Sequence, residues 1–597
     1  MMARSDYKQE RWSLQDLFAG LEAPEVGTAL QDLETLVAEI EAYRPRLTEA
    51  FLADEFLALL ETYDRLMRLL SRLVGFAHLK FAENTQDQQA QTVLAQMQQR
   101  LAEIENRTMF IKLWWKQLDE APAQRLLAAS GDYHYFLDAL RLQRPHTLSE
   151  PEERVINLKD VNGPAALITL YDTITNRYVY RMQVNGQEHE LTRGELQVHI
   201  RGADAQARQA AYRAIHDMHA KDAIVLGQIY QYRVRDWRSE AIDLRHYSSP
   251  LAVRNLANDV PDDVVEALLA ACREHTPLFQ RYFRLKARWQ GMDRLRRYDL
   301  YAPVSGTAAK RYAFAEAVDF VLDSFNHFDA GVASLAEKIL ASRHLDSEVR
   351  KGKRSGAFCA SLEPGLIPWV LTSYNGTAND VSTLAHELGH AVHGLLAAGH
   401  PALTADASLP LAETASTFGE RLLVDHLLRS DADPEVQRDL LFAQMDDAYA
   451  TIGRQAYFAL FEGTAHEAVR RGASVDDLSK LYQENLAEQF GDSLLVSEDF
   501  QYEWLSIPHI YHTPYYVYAY AFGQLLVLSL YEQYRREGDL FKPRYLKILA
   551  AGGSDSPVRI LETAGVPIRS PEFWGQGFGV LQRTLEQLEA IPVKTTS

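Results

Sequence analysis

Between Trp12 and about Trp115, apolar residues return every three to four positions along the chain. Leu30, Leu33, Leu36, Val37 and Ile40 mark one such face, and Phe56, Leu59, Leu60, Tyr63, Leu66, Met67 and Leu70 a second. Val93, Met97, Leu101 and Ile104 mark a third. A period near 3.6 predicts amphipathic helices, and the frequent intervening turns favour an antiparallel bundle over a coiled coil. The glutamine-rich stretch from Gln86 to Gln99 reads as a solvated helix face. Ser149-Glu150-Pro151-Glu152 has the form of a capping box, with Ser149 as N-cap and Glu152 at the third helical position. The period then changes to two. Tyr178 to Val184 alternates, meets Asn185-Gly186, and Glu188 to Leu191 returns, which predicts a hairpin with a two-residue turn. Helical spacing resumes from Asp204 to His219.

In the second half, Ile367 to Tyr374 reads as a strand, and Pro368 within it predicts an edge position where an extended peptide could add. Leu384, Leu388, Ala391, Val392 and Leu395 then recur at helical spacing. Asn375 to Asp380 supplies turn and N-cap residues ahead of this helix, and Gly399 with Pro401 supplies the stop. The pattern is that of a mainly α protein with small β elements. A soft boundary near residue 200 would separate an N-terminal helical region with a hairpin, 1–200, from a second region, 201–597.

Composition narrows the possibilities. With 47% hydrophobic and 24% charged residues among 597, the chain is globular rather than disordered. A net charge of -19 opposes non-specific association with nucleic acid. The basic run from Arg281 to Arg297 therefore reads as a solvated helix face, without the aromatic interleaving that base stacking needs. Two cysteines, Cys272 and Cys359, are too few for a disulfide framework, which favours a reducing compartment. Met1 to Glu10 has no signal-peptide apolar core, and no apolar run reaches membrane-spanning length. A cytoplasmic protein with no membrane and no nucleic-acid partner is expected, with a frayed tail from Val593 to Ser597.

The chemistry concentrates at His386-Glu387-Leu388-Gly389-His390. Residues four apart share one face of a helix, so both imidazoles can aim at one point with Glu387 beside them. That is the ligand pattern of a catalytic zinc ion, against the competing reading of two packed histidines. Such a site needs a third protein ligand and an open fourth position. His393, His400, Glu413 and Glu420 are the candidates. An H-E-x-x-H-x-x-G-x-x-H arrangement is excluded, because His393 stands where glycine would and Leu396 where the last histidine would. His393 falls well round the helix and reads as a neighbour of the site. Glu413 is the better choice, since Pro410 can open a second helix that packs against the first. Glu420, two turns on, is placed to hydrogen-bond a ligand imidazole. One Zn2+ per chain is expected.

His386-Glu387-Leu388-Gly389-His390-Ala391-Val392-His393 followed by Glu413-Thr414-Ala415-Ser416 resembles the oligoendopeptidase F branch of the thimet-oligopeptidase-like zinc metallopeptidases. Lys353-Arg354-Ser355-Gly356-Ala357, Leu148-Ser149-Glu150 and Ile507-Pro508-His509 extend the likeness over most of the chain. The resemblance implies a two-lobed helical body with the zinc site deep in a central channel that admits short unfolded peptides. It also implies substrate-binding and oxyanion-stabilising roles for His509, Tyr515 and Tyr518, with Pro514 starting a helix that sets both tyrosines on one face. His512, Tyr511 and Tyr516 are alternates for these roles. The expected reaction is hydrolysis of short oligopeptides, with Glu387 activating the zinc-bound water. The rivals are a metal-free peptide-binding or scaffold protein of the same fold and an exopeptidase.

Overall fold

The helical periodicity of the first third becomes three long helices, Pro24–Glu41, Ala53–Glu83 and Gln88–Gln117, in the computed structural model. The structure describes residues 7–184, 186–304, 310–430 and 433–593. Asn185 of the expected turn, most of the expected frayed tail and the first six residues lie outside them.

Contacts divide the chain into two units, Met1–Arg144 with Ala309–Asp431 and Gln533–Pro567, and Pro145–Ala308 with Ala432–Glu532 and Ile568–Ser597. Residue 200 lies inside the second unit rather than at a change of unit. A long-range division of this kind leaves no linker composition for sequence to show.

In the first unit, Pro24 opens its helix where its missing N–H is not needed, and the Asp87 carboxylate caps the third helix on Gln89 and Ala90. Leu33, Val37, Ile40, Phe56, Leu59, Leu66, Leu70, Met97 and Ile104 turn inward into one core. Trp12 to Gly20 is not helical; it is an extended and turned segment. Its apolar residues Trp12, Leu14, Leu17 and Phe18 are nevertheless buried in that core, and Trp12 Nε1 donates to Glu83 at 2.9 Å. Periodicity alone does not separate such a pinned segment from a helix.

The same core takes in Trp369 and Leu371, from the strand Trp369–Leu371. The edge position expected for this strand is not found. It is the central strand of three, parallel to Leu345–Asp346 and antiparallel to Phe358–Ala360, with Cys359 opposite Val370. Pro368 stands one residue ahead of the strand, so its missing N–H leaves the ladder intact on both sides. Leu345–Asp346 and Phe358–Ala360 are the two edges instead. The sheet is tied down by Lys353, whose Nζ donates to Asp346 Oδ1 (2.7 Å) and to the carbonyls of Asp346, Glu348 and Thr372. Arg350 makes a two-pronged pair with the same buried carboxylate, at 2.7 and 2.6 Å.

In the second unit, Ser149 and Glu152 form the expected capping box, and Tyr180–Val184 pairs antiparallel with Gln187–Leu191. Asp204 caps the helix Ala205–Lys221. The basic run expected to be a solvated face is largely an ion-pairing seam. Lys286 is buried against Asp446, Arg297 is buried against Glu503, and Arg281 and Arg284 meet Glu589 and Asp492. Their carboxylate partners come from segments remote in sequence, which a local reading of charge does not see.

Candidate metal centre

The helix Ala378–Leu396 carries the centre. Thr377 and Asp380 form its capping box, with Thr377 N–H donating to Asp380 Oδ2 at 2.9 Å and Asp380 N–H to Thr377 Oγ1 at 3.2 Å. Val381, Leu384, Ala385, Leu388, Ala391 and Val392 bury one broad face, which fixes the helix about its axis. His386 and His390 come off beside that face with side chains 27% and 25% exposed.

Glu413 sits between two helices rather than within one. Pro410 opens only the single turn Leu409–Ala412, and Thr414–Ser430 starts directly after Glu413. The longer helix then packs across Ala378–Leu396 at Gly389. A Cβ built there would lie 2.7 Å from the Ala415 carbonyl oxygen and 2.7 Å from Ser416 Cα. Only a glycine allows the two backbones this close, and the approach brings Glu413 to the histidines.

The result is a nearly equilateral triangle of donor atoms. His386 Nε2 and His390 Nε2 are 3.2 Å apart, and Glu413 Oε2 lies 3.3 and 3.4 Å from them. A tetrahedral ion bound at about 2.0–2.1 Å has ligand–ligand edges of about 3.3–3.4 Å. The donor set therefore fits a small divalent cation with a fourth position left over. Among the described residues, this is the group of histidine, cysteine and acidic side chains that could hold a metal ion.

Surrounding groups fix each donor. His386 Nδ1 donates to Glu420 Oε1 at 2.6 Å, which commits Nε2 to being the lone-pair nitrogen. Glu420 is itself held by Ser382 Oγ at 2.8 Å, and Ser416 Oγ donates to Glu413 Oε2 at 2.8 Å. Burial works to raise the Glu413 carboxyl, but the hydrogen bond and charge of His390, with Ser416 and His386, bring it down to about 2. Burial likewise works against the charged form of His386, and is outweighed by Glu420, Glu413 and Glu387, so that its pKa is raised. Glu387 is 6% exposed, and burial raises its carboxyl against the lowering effect of both histidines. It lies toward the sheet edge, where its charge acts on the Cys359 thiol.

The other ligand candidates are engaged elsewhere. His393 is buried, and burial pushes it down to about 4. His400 Nε2 lies 2.9 Å from the Ala550 carbonyl. Ser382, Gly389 and Ser416 complete the centre without having been singled out in the sequence. Ser382 could have been found, since it lies one turn ahead of His386 on the same face.

His509, Tyr515 and Tyr518 belong to the second unit. Pro514 does not start a helix with both tyrosines on one face. Tyr515 takes a left-handed backbone with φ 58°, and the helix Tyr518–Glu537 begins three residues later. Tyr515 is 5% exposed, and its ring packs on His466 with centroids 4.7 Å apart. Tyr518 is 1% exposed, and its hydroxyl accepts from Asn258 Nδ2 at 2.9 Å. Tyr511 is buried on Tyr171, and His512 Nε2 is 2.8 Å from Asp172 Oδ1. His509, Tyr516 and Tyr520 are at least partly exposed, as is the Asp172-paired His512. Tyr520 Oη lies 3.4 Å from His509 Nε2, and the Tyr516 and Tyr520 rings meet edge to face at 5.4 Å.

A metal-ready triangle beside a buried glutamate, on a largely helical frame, is the equipment of a metallohydrolase. The family profile described as Peptidase family M3 matches residues 198–580, and that described as Oligopeptidase F matches residues 114–180. The chain is 26% identical to oligopeptidase PepF of Bacillus subtilis (strain 168), over 99% of this chain and 88% of that one. It is 28% identical to the group B oligopeptidase PepB of Streptococcus agalactiae serotype III (strain NEM316), over 98% and 97%. A solved chain from Chlamydophila abortus matches with a TM-score of 0.88 at 24% identity, covering 98% of this chain and 99% of that one. Oligoendopeptidase-F from Enterococcus faecium matches with a TM-score of 0.69 at 22% identity, covering 94% and 99%. The chain belongs to peptidase family M3, and so to the peptide-hydrolysing metallopeptidases.

The glycine at the helix crossing gives a direct test. Gly389→Ala should force the crossing apart, lowering stability by about 1–3 kcal/mol. Metal affinity should fall with it, by about 10- to 100-fold. Thermal melting and chelator competition measure the two effects, and wild-type values for both would show that the close approach does not set the ligand geometry.

Proposed function

We propose that this protein is a zinc-dependent endopeptidase that hydrolyses short, unfolded oligopeptides, with Glu387 as general base. The donor triangle of His386, His390 and Glu413, with Glu387 buried beside it, is the observation that carries this reading. The relatives named as oligopeptidases support the substrate class. Both cysteines are free, which suits the reducing conditions of a cytoplasmic setting.

When bound, zinc supplies Lewis acidity toward the scissile carbonyl and lowers the pKa of a water toward about 7. The chain's own groups do the rest. Glu387 accepts a proton from the attacking water and hands it to the departing amine. Its buried setting and raised pKa suit that exchange, because a carboxylate closer to neutrality both takes and returns a proton readily. Glu420 and Ser382 keep His386 in one tautomer, and Ser416 keeps the Glu413 oxygen aimed inward. Phe358–Ala360 presents a sheet edge on which an extended peptide can be held by backbone hydrogen bonds, on the side toward which Glu387 lies.

Glu387→Gln should keep its metal and lose about 10²–10⁴-fold in kcat, since only the proton carrier is removed. Metal content and turnover of a terminally blocked peptide are the paired readouts. Near-normal turnover would sink the general-base assignment, and cleavage of only the unblocked peptide would identify an exopeptidase.

We also assign the peptide-facing aromatic role to His509, Tyr516 and Tyr520, in place of the buried Tyr515 and Tyr518. Tyr520→Phe should lower kcat about tenfold with little change in KM. Tyr518→Phe should instead lower thermal stability by stranding the Asn258 amide, at a cost of about 1–3 kcal/mol. The reverse pattern would return the catalytic role to Tyr518.

A further inference from the structure

Tyr515 is a side-chain-bearing residue held at φ 58°, a conformation that glycine adopts readily and tyrosine does not. Something must hold it there. Its backbone N–H donates at 2.8 Å to Oε1 of Glu462, on the helix Arg454–Arg470. Arg254 Nε donates to the preceding Pro514 carbonyl at 3.4 Å. Two further bonds close the turn, from Thr513 N–H to the His509 carbonyl at 2.9 Å and from Tyr516 N–H to the Thr513 carbonyl at 3.2 Å.

Glu462 is fully buried, and packing alone gives no reason for a carboxyl group at that position. It makes no salt bridge among the described residues. One oxygen is committed to the Tyr515 amide, and the other has no hydrogen-bond partner there. Burial pushes its carboxyl up to about 8, so at neutral pH the group is an uncharged acceptor that glutamine can imitate. The residue directly after the clamped amide is Tyr516. Its ring lies parallel to that of His509, with centroids 6.4 Å apart, and edge-on to that of Tyr520 at 5.4 Å.

We infer that Glu462 is a positioning residue: by holding the Tyr515 amide it fixes the left-handed turn that sets Tyr516 beside His509 and Tyr520. The inference rests on the reading that these three groups meet the peptide. Glu462 itself touches no substrate. Its effect passes through one backbone bond, so it should appear in the same kinetic step as the Tyr516 hydroxyl and be restored by any neutral acceptor of the same length.

A double-mutant cycle on one peptide substrate tests this, with metal content checked for every variant. Glu462→Gln should stay within about twofold of wild type, whereas Glu462→Met should lower kcat about tenfold and leave KM within about twofold. Added to Tyr516→Phe, Glu462→Met should cost less than about twofold more, because the hydroxyl it positions is already gone. Equal losses in both backgrounds, or a Gln variant as poor as Met, would make Glu462 merely structural and overturn the inference. If Tyr516→Phe alone is silent, the peptide-facing reading fails and the inference falls with it. If Glu462→Met is not recovered folded, Arg254→Met, which frees the Pro514 carbonyl of the same turn, replaces it in the cycle with the same expectations.

Discussion

Three lone-pair donors held 3.2 to 3.4 Å apart in a half-buried site do not satisfy one another. Hydrogen bonds among them occupy only part of the lone-pair density turned inward, and a shared cation can engage all three atoms. Much of the first unit can be understood as the means of sustaining that convergence. The capped helix Ala378–Leu396 sets the two histidines, and the glycine crossing at Gly389 admits the segment that carries Glu413. Ser382, Glu420 and Ser416 then remove the remaining freedom of the donors.

The sheet beside the helix is built with similar economy. A lysine buried against Asp346 and three carbonyls joins segments from residues 346 to 372, and so fixes where the edge strand Phe358–Ala360 lies. Gly394 lets the helix approach this segment, since a Cβ there would stand 2.5 Å from Ser361 Oγ. The candidate ligands, the buried Glu387 and the sheet edge are thus positioned by the same few close contacts. In the second unit, buried ion pairs such as Lys286 with Asp446 and Arg297 with Glu503 join distant helices, and a left-handed turn presents the aromatic groups.

What could be read from the sequence was what depends on short spacing. His386 and His390 share a helix face by the geometry of one turn, and Thr377, Ser149 and the hairpin at 180–191 announce themselves through local hydrogen-bond chemistry. What was misread depends on partners far away in sequence. Pro368 by itself predicts an edge strand, yet the strands on either side of Trp369–Leu371 come from residues 345 and 358. Lys286 and Arg297 sit in a basic run that reads locally as solvated, yet their carboxylate partners lie more than 100 residues away. Pro514 predicts a helix through Tyr515 because proline often starts one, and the buried Glu462 that holds the observed turn gives no local signal. The likeness to oligoendopeptidase F points to one stretch of aromatic residues, 509–520. Burial then separated the open His509, Tyr516 and Tyr520 from the enclosed Tyr515 and Tyr518.

Anomalous diffraction at the zinc absorption edge, on crystals of the full chain with its native metal, tests the central claim most directly. A single strong peak per chain, within bonding distance of His386 Nε2, His390 Nε2 and Glu413 Oε2, is the result this account requires. A peak bound elsewhere, or none in protein that still cleaves peptides, would contradict it.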